Sequence, residues 1–308
     1  MKHKLFFVYT GIVLAMLFWA LSFIWFKMAN EYFPPVTIVL LRLIISSFFL
    51  WFFSKATGAL QKLDRKDRGA IIVLTLFNPF LYFIGESYGL TWVSSTTGAV
   101  IISTIPLFTP FAAHYFLKER LTLMNYLGIF LSFAGVLLIL YRPQGWQASW
   151  QGLAFLLFAV FCAVAYTLLL ARLSVRYNAL SLVTWQNALG ALFFIPLFFL
   201  LDYPRLSPTS FKWEGLLPVL ELALFASSAA FVLFAVGIKE IGAARTNIFS
   251  NLIPAITALF AWLLLDEWLD LRKAAGIGIV IAGLFLSQIT SSFLRRLMQR
   301  ISGIPYQE

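Results

Sequence analysis

The chain has 308 residues, 61% of them hydrophobic and 12% charged, with a mean hydropathy of +0.88. A soluble domain carries roughly 25% charged and about 45–50% apolar residues, so a water-soluble enzyme, a disordered scaffold and a nucleic-acid-binding domain are excluded. The net charge of +10 invites a nucleic-acid reading, but Lys and Arg scattered between hydrophobic runs report membrane topology instead.

In chain order, apolar runs long enough to cross the hydrocarbon core fall near 5–27, 35–54, 69–90, 94–117, 122–141, 150–171, 179–201, 214–238, 243–265 and 272–292. They predict an all-α integral membrane protein with ten transmembrane helices. Their continuity excludes the alternating strands of a β-barrel. The first run follows Lys2, His3 and Lys4 as a signal peptide would, yet its length and the lack of a small-residue cleavage site predict an uncleaved span. With the N-terminus inside, sixteen Lys and Arg residues fall on the inner side and six on the outer, and Arg42 lies within a span. The bias predicts a multi-pass protein of the cell membrane with both termini cytoplasmic. Residues 293–308 open with FLRRLMQR, which predicts a cytoplasmic amphipathic tail suited to membrane lipid. A frayed helix end explains that pattern as well.

Residues 89–139 match 237–287 at a constant offset of 148. Gly89 meets Gly237, Pro106 meets Pro254, Glu119 meets Glu267, Gly128 meets Gly276, and Ala134-Gly135 meets Ala282-Gly283. Leu-on-Leu matches mean little in so apolar a chain, whereas Pro, Glu and Gly in register need a common origin. Phe18 and Ala20 correspond more weakly to Phe161 and Ala163. The chain is therefore expected to consist of two five-helix repeats, 1–143 and 148–292. An odd number of spans forces the second repeat to start from the opposite face, giving the inverted repeat common to secondary transporters.

The stretch from Gly89 to Ile139 carries a Ser/Thr-rich helix start, Pro106, Glu119 followed by Arg-Leu, and the Gly128/Gly135 pair; residues 237–287 repeat it. These features resemble the EamA domain, and the whole chain is similar to ten-helix members of the drug/metabolite transporter superfamily. The resemblance implies a central cavity lined by helices 1, 3, 4, 6, 8 and 9, with helices 5 and 10 outside it.

Ionisable groups within spans cost about 2.5–3.5 kcal/mol each on insertion scales. Glu86 and Glu221 are the carboxylates so placed, and each is a candidate for coupling transport to a proton or solute gradient. Solvation near the interface is the alternative, and for Glu221 so is a favourable position near a helix start. Arg42 either binds an anionic group of a solute or holds helices together; the structural role is the weightier expectation. Asn78, Tyr82 and Glu86 share a helical stripe at spacing four. Asn247, Ser250, Asn251 and Pro254 share another face, too polar for lipid, with Ser103 the repeat mate of Asn251. Trp19 and Ser22 in helix 1, and Tyr166 in helix 6, offer amphipathic walls. Pro106 and Pro254 are expected to kink their helices. Glu119 and Glu267 precede helices 5 and 10 and are expected to be structural, with a gate role as the alternative. His114 is expected to be a hydrogen-bonded structural residue.

There is no HExxH, no Walker A motif and no Cys besides Cys162, and the only histidines are His3 and His114. No metal, cofactor, catalytic residue or nucleic-acid partner is expected. The expected function is a secondary transporter, exporting small organic metabolites such as amino acids by alternating access. A multidrug exporter is the alternative, and an intramembrane enzyme or a membrane sensor fits less well.

Overall fold

The computed structural model describes residues 2–109, 112, 123–140, 149–206 and 211–287. Glu119, His114 and the tail 293–308 lie outside the described residues, so the expectations attached to them stand as sequence readings.

Every regular element among the described residues is helical. In chain order they are α1 Lys2–Asn30, α2 Pro35–Ala56, α3 Arg65–Trp92, α4 Ser95–Thr109, α5 Leu123–Leu140, α6 Trp150–Leu173, α7 Ala179–Arg205, α8 Trp213–Ile241, α9 Phe249–Leu265 and α10 Leu271–Ser287. A short helix, Ala243–Ile248, leads into α9. Six of these, α1, α2, α3, α6, α7 and α8, are long and apolar enough to cross a membrane; α4, α5 and α9 are shorter apolar helices. Rows of exposed aromatic and aliphatic side chains, such as Phe48, Phe52, Phe130 and Leu200, cover the outer faces. In a bilayer such surface meets lipid, and the chain is a multi-pass membrane protein.

Helix ends are tied by side chains from elsewhere in the chain. Asp202, at the end of α7, accepts from the Thr37 N–H at 2.7 Å and the Thr37 hydroxyl at 3.0 Å in the first turn of α2. Glu267, between α9 and α10, accepts from the Ser95 and Thr96 N–H groups at 2.7 and 3.2 Å and from the Thr96 hydroxyl at 2.8 Å. These donors are among the four that a helix start leaves without intrahelical partners.

Five helices are not regular throughout: α7 runs out through a π turn, Phe198–Asp202, and a 3₁₀ turn, Tyr203–Arg205, at its end, and four others are interrupted internally. α3 contains a π-helical segment, Leu76–Leu81, in which Asn78 has φ −148° and ψ 123°. Pro79 removes a donor there and disfavours helical backbone in the residue before it. α8 carries a second π segment, Leu222–Ala230. α4 is broken by a turn at Ser103–Thr104, and the α9 region by the 3₁₀ segment Phe249–Leu252. The last two breaks coincide at the 148-residue offset, each just before its proline.

α3 packs on α6, α2 on α7, and α5 on α10, while α1 touches both α8 and α9. The contacts are close because small residues make them so. A Cβ added at Gly85 would meet the Phe155 carbonyl oxygen at 2.6 Å. The α5–α10 contact is reciprocal: a Cβ at Gly135 would meet the Gly276 carbonyl at 2.8 Å, and one at Gly283 would meet the Gly128 carbonyl at 2.6 Å. Between them Ser132 donates to the Val280 carbonyl at 3.1 Å, and these two residues are 148 apart.

Candidate functional site

A cavity lies where the helices converge. Its lining comes from α1 (Trp19, Ser22, Phe23), α3 (Asn78, Tyr82, Phe83, Glu86), α4 (Ile102, Ile105) and α6 (Ala163, Tyr166, Thr167). α8 adds Phe231 and Phe234, the α9 region adds Asn247, Ser250 and Ile253, and α2 adds Arg42 alone. The space open to water centres is about 70 Å³. At about 10–15 Å³ per water on that measure, it has room for roughly six waters.

One wall is aromatic. The Trp19 ring packs against Phe231 and Phe234 at centroid distances of 5.2 and 4.8 Å, and Tyr166 meets Phe231 edge-on at 6.2 Å. The Trp19 indole donates to the Ala226 carbonyl at 3.3 Å, inside the π segment of α8.

Another part of the lining is charged. The Tyr82 hydroxyl donates to Glu86 Oε1 at 2.6 Å. Arg42 is 2% exposed; its Nε donates to the Ser227 hydroxyl at 2.8 Å, and its guanidinium lies 4.3 Å from the Phe83 ring centroid. Arg42 and Glu86 both line the cavity, yet they form no ion pair within 4 Å among the described residues.

Behind Arg42 a polar layer joins α2, α7 and α8. Asn187 donates to the Ser46 hydroxyl at 2.7 Å and to the Ser227 carbonyl at 2.8 Å, and the Ser46 and Ser228 hydroxyls are hydrogen-bonded at 2.7 Å. Gln186 accepts from the Tyr166 hydroxyl at 3.2 Å and lies 3.5 Å from Asn78 Oδ1. In a low-dielectric interior such a layer fixes side chains firmly because every alternative leaves a polar group unbonded.

Of the residues singled out from sequence, Trp19, Ser22, Asn78, Tyr82, Glu86, Tyr166 and Asn247 meet at this cavity. Ser103 and Asn251 do not line it. Ser103 is buried in the α4 break, bonded to the Val100 carbonyl at 2.7 Å. Asn251 is buried in the 3₁₀ segment, and among the described residues neither its amide atoms nor Asn247 Nδ2 has a hydrogen-bond partner. Glu221 lies outside the lining, at the last α-helical residue of α8 before its π segment. The spacing-four stripe Asn78–Tyr82–Glu86 needs correction: Asn78 is non-helical, so a continuous helix is not what aligns it. The π segment brings it to the same cavity.

The chain matches the sequence model of the EamA-like transporter family twice, over residues 6–141 and 150–289. It belongs to the EamA-like transporter family. An uncharacterised transporter of Archaeoglobus fulgidus is 27% identical over 89% of this chain and 96% of its own length. The Bacillus subtilis uncharacterised transporter YetK is 28% identical over 91% of this chain and 86% of its own. A solved crystal structure of a protein aligns with a TM-score of 0.72 at 16% identity, over 94% of this chain and 98% of that one. At that identity the likeness concerns the fold alone. This EamA-type chain is a membrane transporter of the drug/metabolite transporter superfamily, not an enzyme.

Sequence reasoning passed over Phe231, Phe234 and Ser227. Nothing marks two phenylalanines among 33 as cavity walls. The Ser227-Ser228 pair inside an apolar run did carry a signal, because hydroxyls within a span seek interhelical partners.

Proposed function

We propose that residues 1–143 and 148–292 are two inverted five-helix repeats and that the cavity between them is the solute site of a secondary transporter. It exports small organic metabolites such as amino acids across the cytoplasmic membrane by alternating access, with both termini in the cytoplasm. The inversion is supported by the α5–α10 contact. Its reciprocal glycine contacts run in opposite chain directions, and a residue meets its own mate beside them. A self-complementary contact of this kind belongs to a two-fold axis, and between antiparallel membrane helices that axis lies in the membrane plane.

The observation that carries the reading is the cavity itself. Two buried charges, two amides and an aromatic wall converge on one space, where intramembrane polar groups mark a solute path. Room for roughly six waters, each with a liquid share of about 30 Å³, is of the order of a small metabolite, which reaches the cavity when the interrupted helices α3, α4, α8 and α9 move. Glu86 is the proposed coupling residue. The titratable or charged groups facing it are Arg42 from α2, Tyr82 from α3 and Tyr166 from α6. Glu221, outside the lining, is the lesser candidate. Residues 293–308 are proposed to lie on the cytoplasmic lipid surface.

The test is counterflow of labelled metabolites in proteoliposomes, comparing the wild type with Ala163→Trp, which fills the cavity from α6. Saturable exchange by the wild type, abolished by Ala163→Trp in a folded protein, is expected. Exchange that ignores the block would place the solute path elsewhere.

A further inference from the structure

Arg42 and Glu86 are buried in the same cavity and each is incompletely satisfied. Arg42 uses Nε on Ser227, and neither terminal nitrogen has an acceptor among the described residues. Those nitrogens are not sealed in protein either, because Arg42 lines the cavity. Glu86 uses Oε1 on Tyr82, and Oε2 has no donor among the described residues. A buried ion pair would normally close up, because separated charges in a poorly solvated interior are costly. Here each charge is held off the other: Ser227 and the Phe83 face fix the guanidinium, and Tyr82 fixes the carboxylate.

An open guanidinium fork and an open carboxylate lining one cavity suit a molecule bearing both opposite charges. We infer that the transported solute is a zwitterion of the α-amino-acid type, its carboxylate on the terminal nitrogens of Arg42 and its ammonium on Glu86. A planar fork matches a carboxylate through two parallel charge-assisted hydrogen bonds. The solute's side chain then lies against Trp19, Phe231 and Phe234, a wall suited to apolar rather than charged groups. Arg42 thereby acquires a specificity-determining role, beyond the helix-holding one that its position in α2 suggests. The inference rests on the cavity being the solute site.

The test uses the full chain in proteoliposomes and three probe families of increasing size. These are L-alanine, L-leucine and L-phenylalanine, each with its amide, which lacks the carboxylate, and its deaminated acid, which lacks the ammonium. Competition against counterflow of the best amino acid should show both analogues weakened by about ten-fold or more, as expected when one charged partner is left unpaired. Arg42→Lys keeps the charge but not the fork and should weaken the amino acid. Arg42→Gln should erase the difference between amino acid and amide, and Glu86→Gln the difference between amino acid and deaminated acid. A purely structural role would lower activity without changing those ratios. Wild-type preference for either analogue over its amino acid would overturn the zwitterion. So would exchange of other organic solutes with no response to any amino acid, although the transport reading would stand. If Ala163→Trp leaves exchange intact, the site itself is wrong.

Discussion

Replacing Glu267 with Ala should unlatch one end of the cavity. The carboxylate bonds two backbone N–H groups and one hydroxyl at the start of α4, at 2.7, 3.2 and 2.8 Å. One side chain from the α9–α10 connection thus holds the first turn of a helix that lines the cavity. Hydrogen bonds to a charged group contribute about 1.5–3 kcal/mol in favourable cases. The three share one partly exposed acceptor, and water replaces it when it is lost, so the net loss is about 2 kcal/mol. If the contact belongs to the state closed at this end, that loss shifts the closed-to-open equilibrium by about 30-fold. The assay is the rate at which an impermeant thiol reagent labels Ser22→Cys, in a Cys162→Ala background, from the side where α4 starts. Glu267→Ala should raise that rate by about ten- to thirty-fold, and Glu267→Gln, which keeps an acceptor but not the charge, by less. Unchanged labelling together with a lowered Tm would refute the reasoning, because the contact would then stabilise every state alike.

Three further outcomes follow from other contacts. Asn251→Leu should leave stability unchanged or raise it by up to about 1–3 kcal/mol of relieved burial, read as an equal or higher Tm; a clear loss of stability would mean that its amide is bonded. Asp270 caps α10 through the Lys273 N–H at 2.7 Å, and that bond, helped by Arg272, holds its carboxyl below the usual carboxylate range. Its folded value lies below the unfolded one near 3.9, so its contribution is complete above that pH and fades as pH falls through the depressed value. Asp270→Ala should therefore cost about 1 kcal/mol at neutral pH, with the Tm gap to wild type closing below about pH 4; a pH-independent gap would contradict this. Glu86→Gln should abolish pH-driven uptake while leaving part of the solute exchange, and Glu221→Gln should do less; an unchanged pH profile for Glu86→Gln would remove Glu86 from coupling.

The helices were legible because apolar length is a strong signal. The runs at 35–54 and 150–171 match α2 and α6 closely. The irregularities were not. Pro106 and Pro254 announced breaks in their helices, and Pro79 accounts for the non-helical Asn78, but the π form in which α3 and α8 continue depends on how those helices pack. This is why Asn78, Tyr82 and Glu86 reach one cavity although the helical spacing behind that expectation fails at Asn78. Asn251 shows the converse: its helical face was read from an unbroken helix, and the 3₁₀ segment turns it away from the lining. Arg42 was visible as an intramembrane charge, yet its two open nitrogens follow from Ser227 on a helix far along the chain. Sequence distance of that kind leaves no local mark.

Alternating access requires that the cavity be reached from both faces of the membrane and filled by the solute in between. Ser22→Cys in the Cys162→Ala background, in sealed vesicles of known orientation, can be labelled with an impermeant thiol reagent from either side. Labelling from both sides, slowed at each by a solute that undergoes counterflow, is the predicted result. Labelling from one side only under every condition, or labelling that the transported solute does not slow, would contradict it.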